Sequence, residues 1–98
     1  MMTVHAAIRI HDACRSASAA LCHAMDGSDG PVFAVLDRLV CEIDEEAMKA
    51  IDALRVLKPV DAAEHYERAL ALIRHETDAG AGLAEIAMLA TDLAEGHQ

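Results

Sequence analysis

PVFAVLDRLVCEIDEEAMKAIDALRVLKP, residues 31–59, has prolines only at its two ends and no glycine, and its apolar residues fall on one helical stripe. Val32, Leu36, Leu39, Ile43, Ala47, Ala50, Leu54 and Leu57 succeed one another at steps of 4, 3, 4, 4, 3, 4 and 3. That is the period of an amphipathic helix with one buried face. At about 1.5 Å per residue the helix is about 40 Å long, more than a compact domain of 98 residues needs to span. The stretch therefore predicts one long helix, residues 31–58, that must find partners along its whole length. Two successive steps of four in mid-stripe relax a left-handed supercoil, and mark a place where the facing partner changes. On the outer face Arg38 and Glu42, and Glu45 and Lys49, stand four apart, a spacing that stabilises exposed helices by roughly 0.2–0.5 kcal/mol per pair.

Outward from this segment, turn-forming residues set the limits of the neighbouring helices. Asp26-Gly27-Ser28-Asp29-Gly30 precedes Pro31, and proline is favoured in the first turn of a helix. Before it, residues 3–25 carry Ala7, Ile10, Cys14, Ala17, Leu21 and Ala24 at steps of three and four, a narrow seam like that of a coiled coil. Ala13, Ala17, Ala20 and Ala24 leave that backbone accessible to a close neighbour, and Thr3 is the expected N-cap. A loop this short joins antiparallel neighbours.

On the other side Pro59 ends the long helix near Lys58, because it disfavours the helical conformation in the residue before it. Asp61 with Glu64 forms a capping-box-like start for a third helix, residues 61–77. That helix is expected to turn Ala62, Tyr66, Ala69, Leu70 and Ile73 inward and to pair Glu64 with Arg68 outside. Asp78-Ala79-Gly80-Ala81-Gly82 then allows two readings. Leu72, Ala79, Leu83, Ile86, Ala90 and Leu93 hold phase across it, as one bent helix would. Two glycines cost about 1 kcal/mol each inside a helix, which favours a break and a fourth helix, residues 79–95. Glu95-Gly96-His97-Gln98 should fray. The expected fold is all-α: a three- or four-helix antiparallel bundle, residues 1–98 as one unit, built on one long central helix and completed by dimerisation.

Composition narrows the functional classes. Only Phe33 and Tyr66 are aromatic, while 54% of residues are apolar. The core must therefore come from Ala, Leu, Ile, Val and Met, which bury little area per residue. Burial at about 25 cal/mol per Å² then leaves a small monomer a thin margin over chain entropy, and self-association widens it. Seventeen acidic against eight basic side chains give a formal charge of −9, and the basic residues are dispersed. Direct nucleic-acid binding is not expected, nor is a membrane partner. An acidic decoy that occupies a nucleic-acid-binding protein is an alternative that such charge permits. The N-terminus has no basic region followed by an apolar run, and three cysteines do not make a disulfide scaffold. The expected location is cytoplasmic.

Candidate chemistry is sparse. His5, His11, Cys14, Cys22 and His23 share the first helix, with Cys41 on the second. His11 and Cys14, three apart, could face one ion, but zinc takes four ligands, normally in two close pairs, and Cys14 and Cys22 are eight apart. Cys14 on the seam and Cys41 beside the stripe read as small hydrophobes. Glu42, Asp44, Glu45 and Glu46 alternate around their helix, and no Glu-x-x-His accompanies them as a di-metal bundle needs. Arg74-His75-Glu76-Thr77-Asp78 is faintly similar to the His-Glu pair on the dimerisation helix of sensor kinases. Thr77 and Asp78 replace the hydrophobic and basic residues expected there, and the expected proline is missing. The likeness covers about five residues and assigns no family. No strained serine elbow or phosphate-cradling glycine loop occurs. Met25 and Met88 are expected to fill the core.

The reading these features support is a non-catalytic protein–protein interaction module (regulator, adaptor or inhibitor) acting as a homodimer toward an unidentified protein partner. It needs no cofactor or metal. The self-contact is expected at Leu36, Leu39, Ile43, Ala47, Ala50 and Leu54. The alternative is phosphotransfer or metal-linked chemistry through His75, or through His11 with Cys14.

Overall fold

The computed structural model describes residues 1–96. Four α-helices follow in order: α1 Val4–Met25, α2 Gly30–Val56, α3 Ala62–Asp78 and α4 Leu83–Gly96. No strand occurs among the described residues. The expected fraying of the last four residues concerns α4 only at Glu95 and Gly96; His97 and Gln98 lie outside the described residues.

Local chemistry accounts for the helix ends. The Thr3 hydroxyl accepts the Ala6 N–H at 3.0 Å, which satisfies one of the four donors a helix start leaves free. The Asp61 carboxylate does the same for Glu64 N–H at 2.8 Å, and Glu64 accepts from the Val60 N–H at 3.2 Å. α2 stops two residues earlier than its apolar stripe suggests, with Leu57 extended. Pro59 contributes, and so does Arg68 on α3, whose guanidinium donates to the Leu54 carbonyl at 2.8 Å and the Arg55 carbonyl at 2.6 Å. That long-range cap replaces the expected surface pair between Glu64 and Arg68.

Between α3 and α4 the helix breaks. Gly80 N–H donates to the Thr77 carbonyl and Ala81 N–H to the Glu76 carbonyl, both at 3.0 Å. This pair of bonds is the Schellman arrangement, which requires a left-handed residue, and Gly80 has φ +89°. The in-phase apolar residues on either side belong to two helices.

α1 and α2 form an antiparallel hairpin that makes most of the helix–helix contacts. The core lies at one end of it. Val4 and Ala7 from the start of α1 meet Ile51 and Leu54 from the end of α2, Leu72 from α3 and Leu93 from α4. Ala47 and Ala50 are buried on α2 nearby. From Ile8 to Glu46 no residue is fully buried. The hairpin extends away from the core as an arm, and the molecule measures 53 × 33 × 16 Å. Its radius of gyration is 15.8 Å, against about 13 Å for a compact chain of this length.

Several inward faces are rotated from their sequence-based positions. On α1 the covered positions are Val4, Ala6, Ala7, Ile8, His11, Cys14, Ser18, Leu21 and Met25, and Ile10, Ala17 and Ala24 are exposed. On α2 they are Leu36, Val40, Ile43, Ala47, Ala50, Ile51, Ala53 and Leu54, with Leu57 covered just past its end, which leaves Val32 and Leu39 outside the seam. On α3, Tyr66 and Leu70 are exposed while His65, Arg68 and His75 turn inward. On α1 and α2 two apolar stripes lie side by side, and periodicity alone does not rank them; on α3 the side chains turned inward include polar ones, which hydrophobic periodicity does not register. Met88 is exposed rather than core-filling, as is Cys41. Lys49 pairs with Glu46 at 3.0 Å rather than with Glu45.

Candidate functional site

α3 lies across one face of the hairpin, and a groove of about 420 Å³ runs between it and α1. The α1 wall presents His5, Ile8, Arg9, His11, Asp12 and Arg15, which share a broad face at helical spacing. The α3 wall presents Glu67, Leu70, Ala71, Arg74, His75 and Asp78.

The two histidines that the sequence offered separately meet here. The rings of His11 and His75 stand edge to face with centroids 5.4 Å apart. His11 is well covered, its side chain 12% exposed, with Nδ1 at 3.8 Å from Asp12 Oδ1. Burial lowers its pKa from the ordinary 6.5, and the neighbouring His75 and Arg15 lower it further against the opposing pull of Asp12. His75 Nδ1 is buried with no hydrogen-bond partner among the described residues. A buried polar nitrogen left without a partner costs about 1–3 kcal/mol. Arg15 reaches Asp78 at a loose 3.5 Å. Arg9 and Arg74 have no ion-pair partner among the described residues.

Cys14 is half-buried on the hairpin seam and does not line this groove. His11 and Cys14 are therefore not joined by further ligands, and no group of three or more His, Cys, Asp or Glu side chains able to hold a metal occurs among the described residues. Nor is any helix among them long and apolar enough to cross a membrane. The spacing of His11 and His75 could not have announced their meeting, because 64 positions separate them in the chain and only the fold of α3 onto α1 joins them.

The six residues expected at a self-contact divide along the hairpin. Ala47, Ala50 and Leu54 are buried within the chain itself. Leu36 and Ile43 are half-buried in the α1–α2 seam. Leu39 is 37% exposed. On the side of α1 away from α3, Ile10, Ala13, Ala17, Ala20 and Ala24 form an exposed stripe. Counting about 100° per residue from the seam puts Val32, Val35 and Leu39 of α2 on that same side. No family model matches the chain, and neither a curated protein nor a solved structure resembles it at a significant level.

Proposed function

We propose that the protein is a non-catalytic interaction module that works as a homodimer, and that the exposed face of the α1–α2 arm is its self-contact. The observation that carries this reading is the amount of surface left uncovered. A folded monomer of 10.4 kDa exposes about 5,400 Å², whereas this chain exposes 6635 Å². The surplus of about 1,200 Å² exceeds the ~800 Å² that each partner buries in a standard interface.

Chemistry on the arm supports the same partner. Val32, Val35 and Leu39 supply apolar area, and the alanines of α1 let a second helix pair approach closely. The same face turns acidic toward the core end at Glu42 and Glu46, which limits the contact to the distal half and disfavours slipped registers by like-charge repulsion. Two hairpins packed this way make a four-helix bundle. Of the six sequence-predicted contact residues, Leu39 carries the reading, and Leu36 and Ile43 lie beneath it in the seam.

Sedimentation equilibrium tests the proposal. The expected result is twice the chain mass at micromolar concentration, falling to the chain mass in a Val35→Asp, Leu39→Asp variant that keeps its helical circular dichroism. A monomer in the unsubstituted protein contradicts it.

A further inference from the structure

We propose that the groove between α1 and α3 binds a small organic anion, a carboxylate or phosphate group on a short apolar body, with Arg9 and Arg74 gripping the charge from opposite walls. The groove lies on the face of the hairpin away from the proposed self-contact, so the inference does not rest on dimerisation.

The distribution of charge is the first argument. The chain carries −9 overall, and three of its eight Lys and Arg side chains line this one groove. Arg15 is held by Asp78, but Arg9 and Arg74 are uncommitted among the described residues. Guanidinium groups match the paired oxygens of carboxylates and phosphates. Three of the seventeen acids line it too: Asp78 holds Arg15, Asp12 leans toward His11, and Glu67, exposed like Arg9 and Arg74, forms no ion pair with either arginine.

The potential at the base of the groove is the second. Burial lowers the His11 pKa first, and the nearby His75 and Arg15 lower it further against Asp12, so positively charged side chains reach the base of the groove. The walls are the third argument. Ile8, Leu70 and Ala71 give the groove an apolar lining, and its volume of about 420 Å³ falls among small-molecule sites of roughly 300–1,000 Å³. An anion held there would tie α3 to the arm and stabilise the fold by mass action.

Histidine ring signals in NMR provide the test. The full chain is titrated with inorganic phosphate and, separately, with butyrate, each against chloride at matched ionic strength. The expected result is that at least one of the two shifts the His11 and His75 rings together, with half-saturation at about 1 mM or below, and raises the melting temperature where chloride does not. Saturation by phosphate alone assigns a phosphate-bearing compound, and by butyrate alone a carboxylate. Arg9→Gln and Arg74→Gln should each weaken the effect about tenfold, the usual cost of losing a charged hydrogen bond, while Arg38→Gln, away from the groove, leaves it unchanged. Shifts that never saturate with either anion, that chloride reproduces, or that survive the double Arg9→Gln, Arg74→Gln substitution overturn the proposal. Should that double variant lose its helicity, the melting temperature of the unsubstituted chain decides: no rise with either anion also overturns it.

Discussion

Where α1 begins and α2 finishes, side chains from all four helices close over one another, and Ile51 and Leu54 are lost to solvent almost completely. Along the arm, from Ile8 to Glu46, similar residue types lie in an equally regular pattern, yet none is fully buried. Composition does not separate the two regions. What separates them is the number of helices available to cover each one: four at the core end, then α3 beside the hairpin as far as Arg15, and only the pair itself beyond. A helix pair can bury only the seam between its members, so any second apolar stripe stays wet until something outside the pair covers it.

The largest expected effect sharpens this contrast. Leu54→Ala removes a side chain that is 1% exposed and should cost about 2–5 kcal/mol in denaturant unfolding. Val32→Ala on the arm, measured on dilute monomer, should change stability by less than about 0.5 kcal/mol. Equal costs at the two sites would break the comparison.

How much of this was legible in the sequence depends on range. Helix content, the Thr3 and Asp61 caps and the break at Gly80–Gly82 are local, because each is decided by residues within one turn of one another. The rotation of α1, α2 and α3 is not local. Ile10 and Cys14 are equally plausible seam residues by period, and only the neighbour that arrives chooses between them. Periodicity points Tyr66 and Leu70 inward, yet they are exposed, while His65, Arg68 and His75 turn inward. The groove was the least legible feature: Arg9, Arg15 and Arg74 look dispersed in the chain, and α3 lying across α1 brings them together.

A second effect tests how the core end is held. Arg68→Gln withdraws two hydrogen bonds from the last carbonyls of α2 and should cost about 1.5–3 kcal/mol, the range for charged donors at partly covered sites. Amide exchange should show the loss at residues 54–57 and not along the arm. Gly80→Ala should be milder. Its added methyl group meets no atom within 4 Å, so only the left-handed backbone is strained, at about 1–2 kcal/mol in thermal melting. Gly82→Ala, whose backbone is not left-handed, should be neutral.

The smallest effect comes from pH. His11 has its folded pKa below 6.5, chiefly through burial and then through His75 and Arg15. Between the folded and unfolded values the unfolded chain binds more protons, so stability rises with pH there. The His11 contribution should be complete above about pH 6.5 and diminish as the pH drops from there toward the folded value. His5, Arg9, Glu67, Arg74 and Asp78 also line the groove that holds the ring pair. Denaturant midpoints at pH 7.5 and pH 5.5 should differ less in His11→Gln than in the unsubstituted protein.

Amide hydrogen exchange over residues 10–46, recorded at high and at low protein concentration, bears most directly on the claim that a second copy covers the arm. The account predicts slow exchange in the arm at high concentration that speeds up on dilution and in Leu39→Asp, while the core end remains protected throughout. Exchange along the arm that is the same at both concentrations would contradict it.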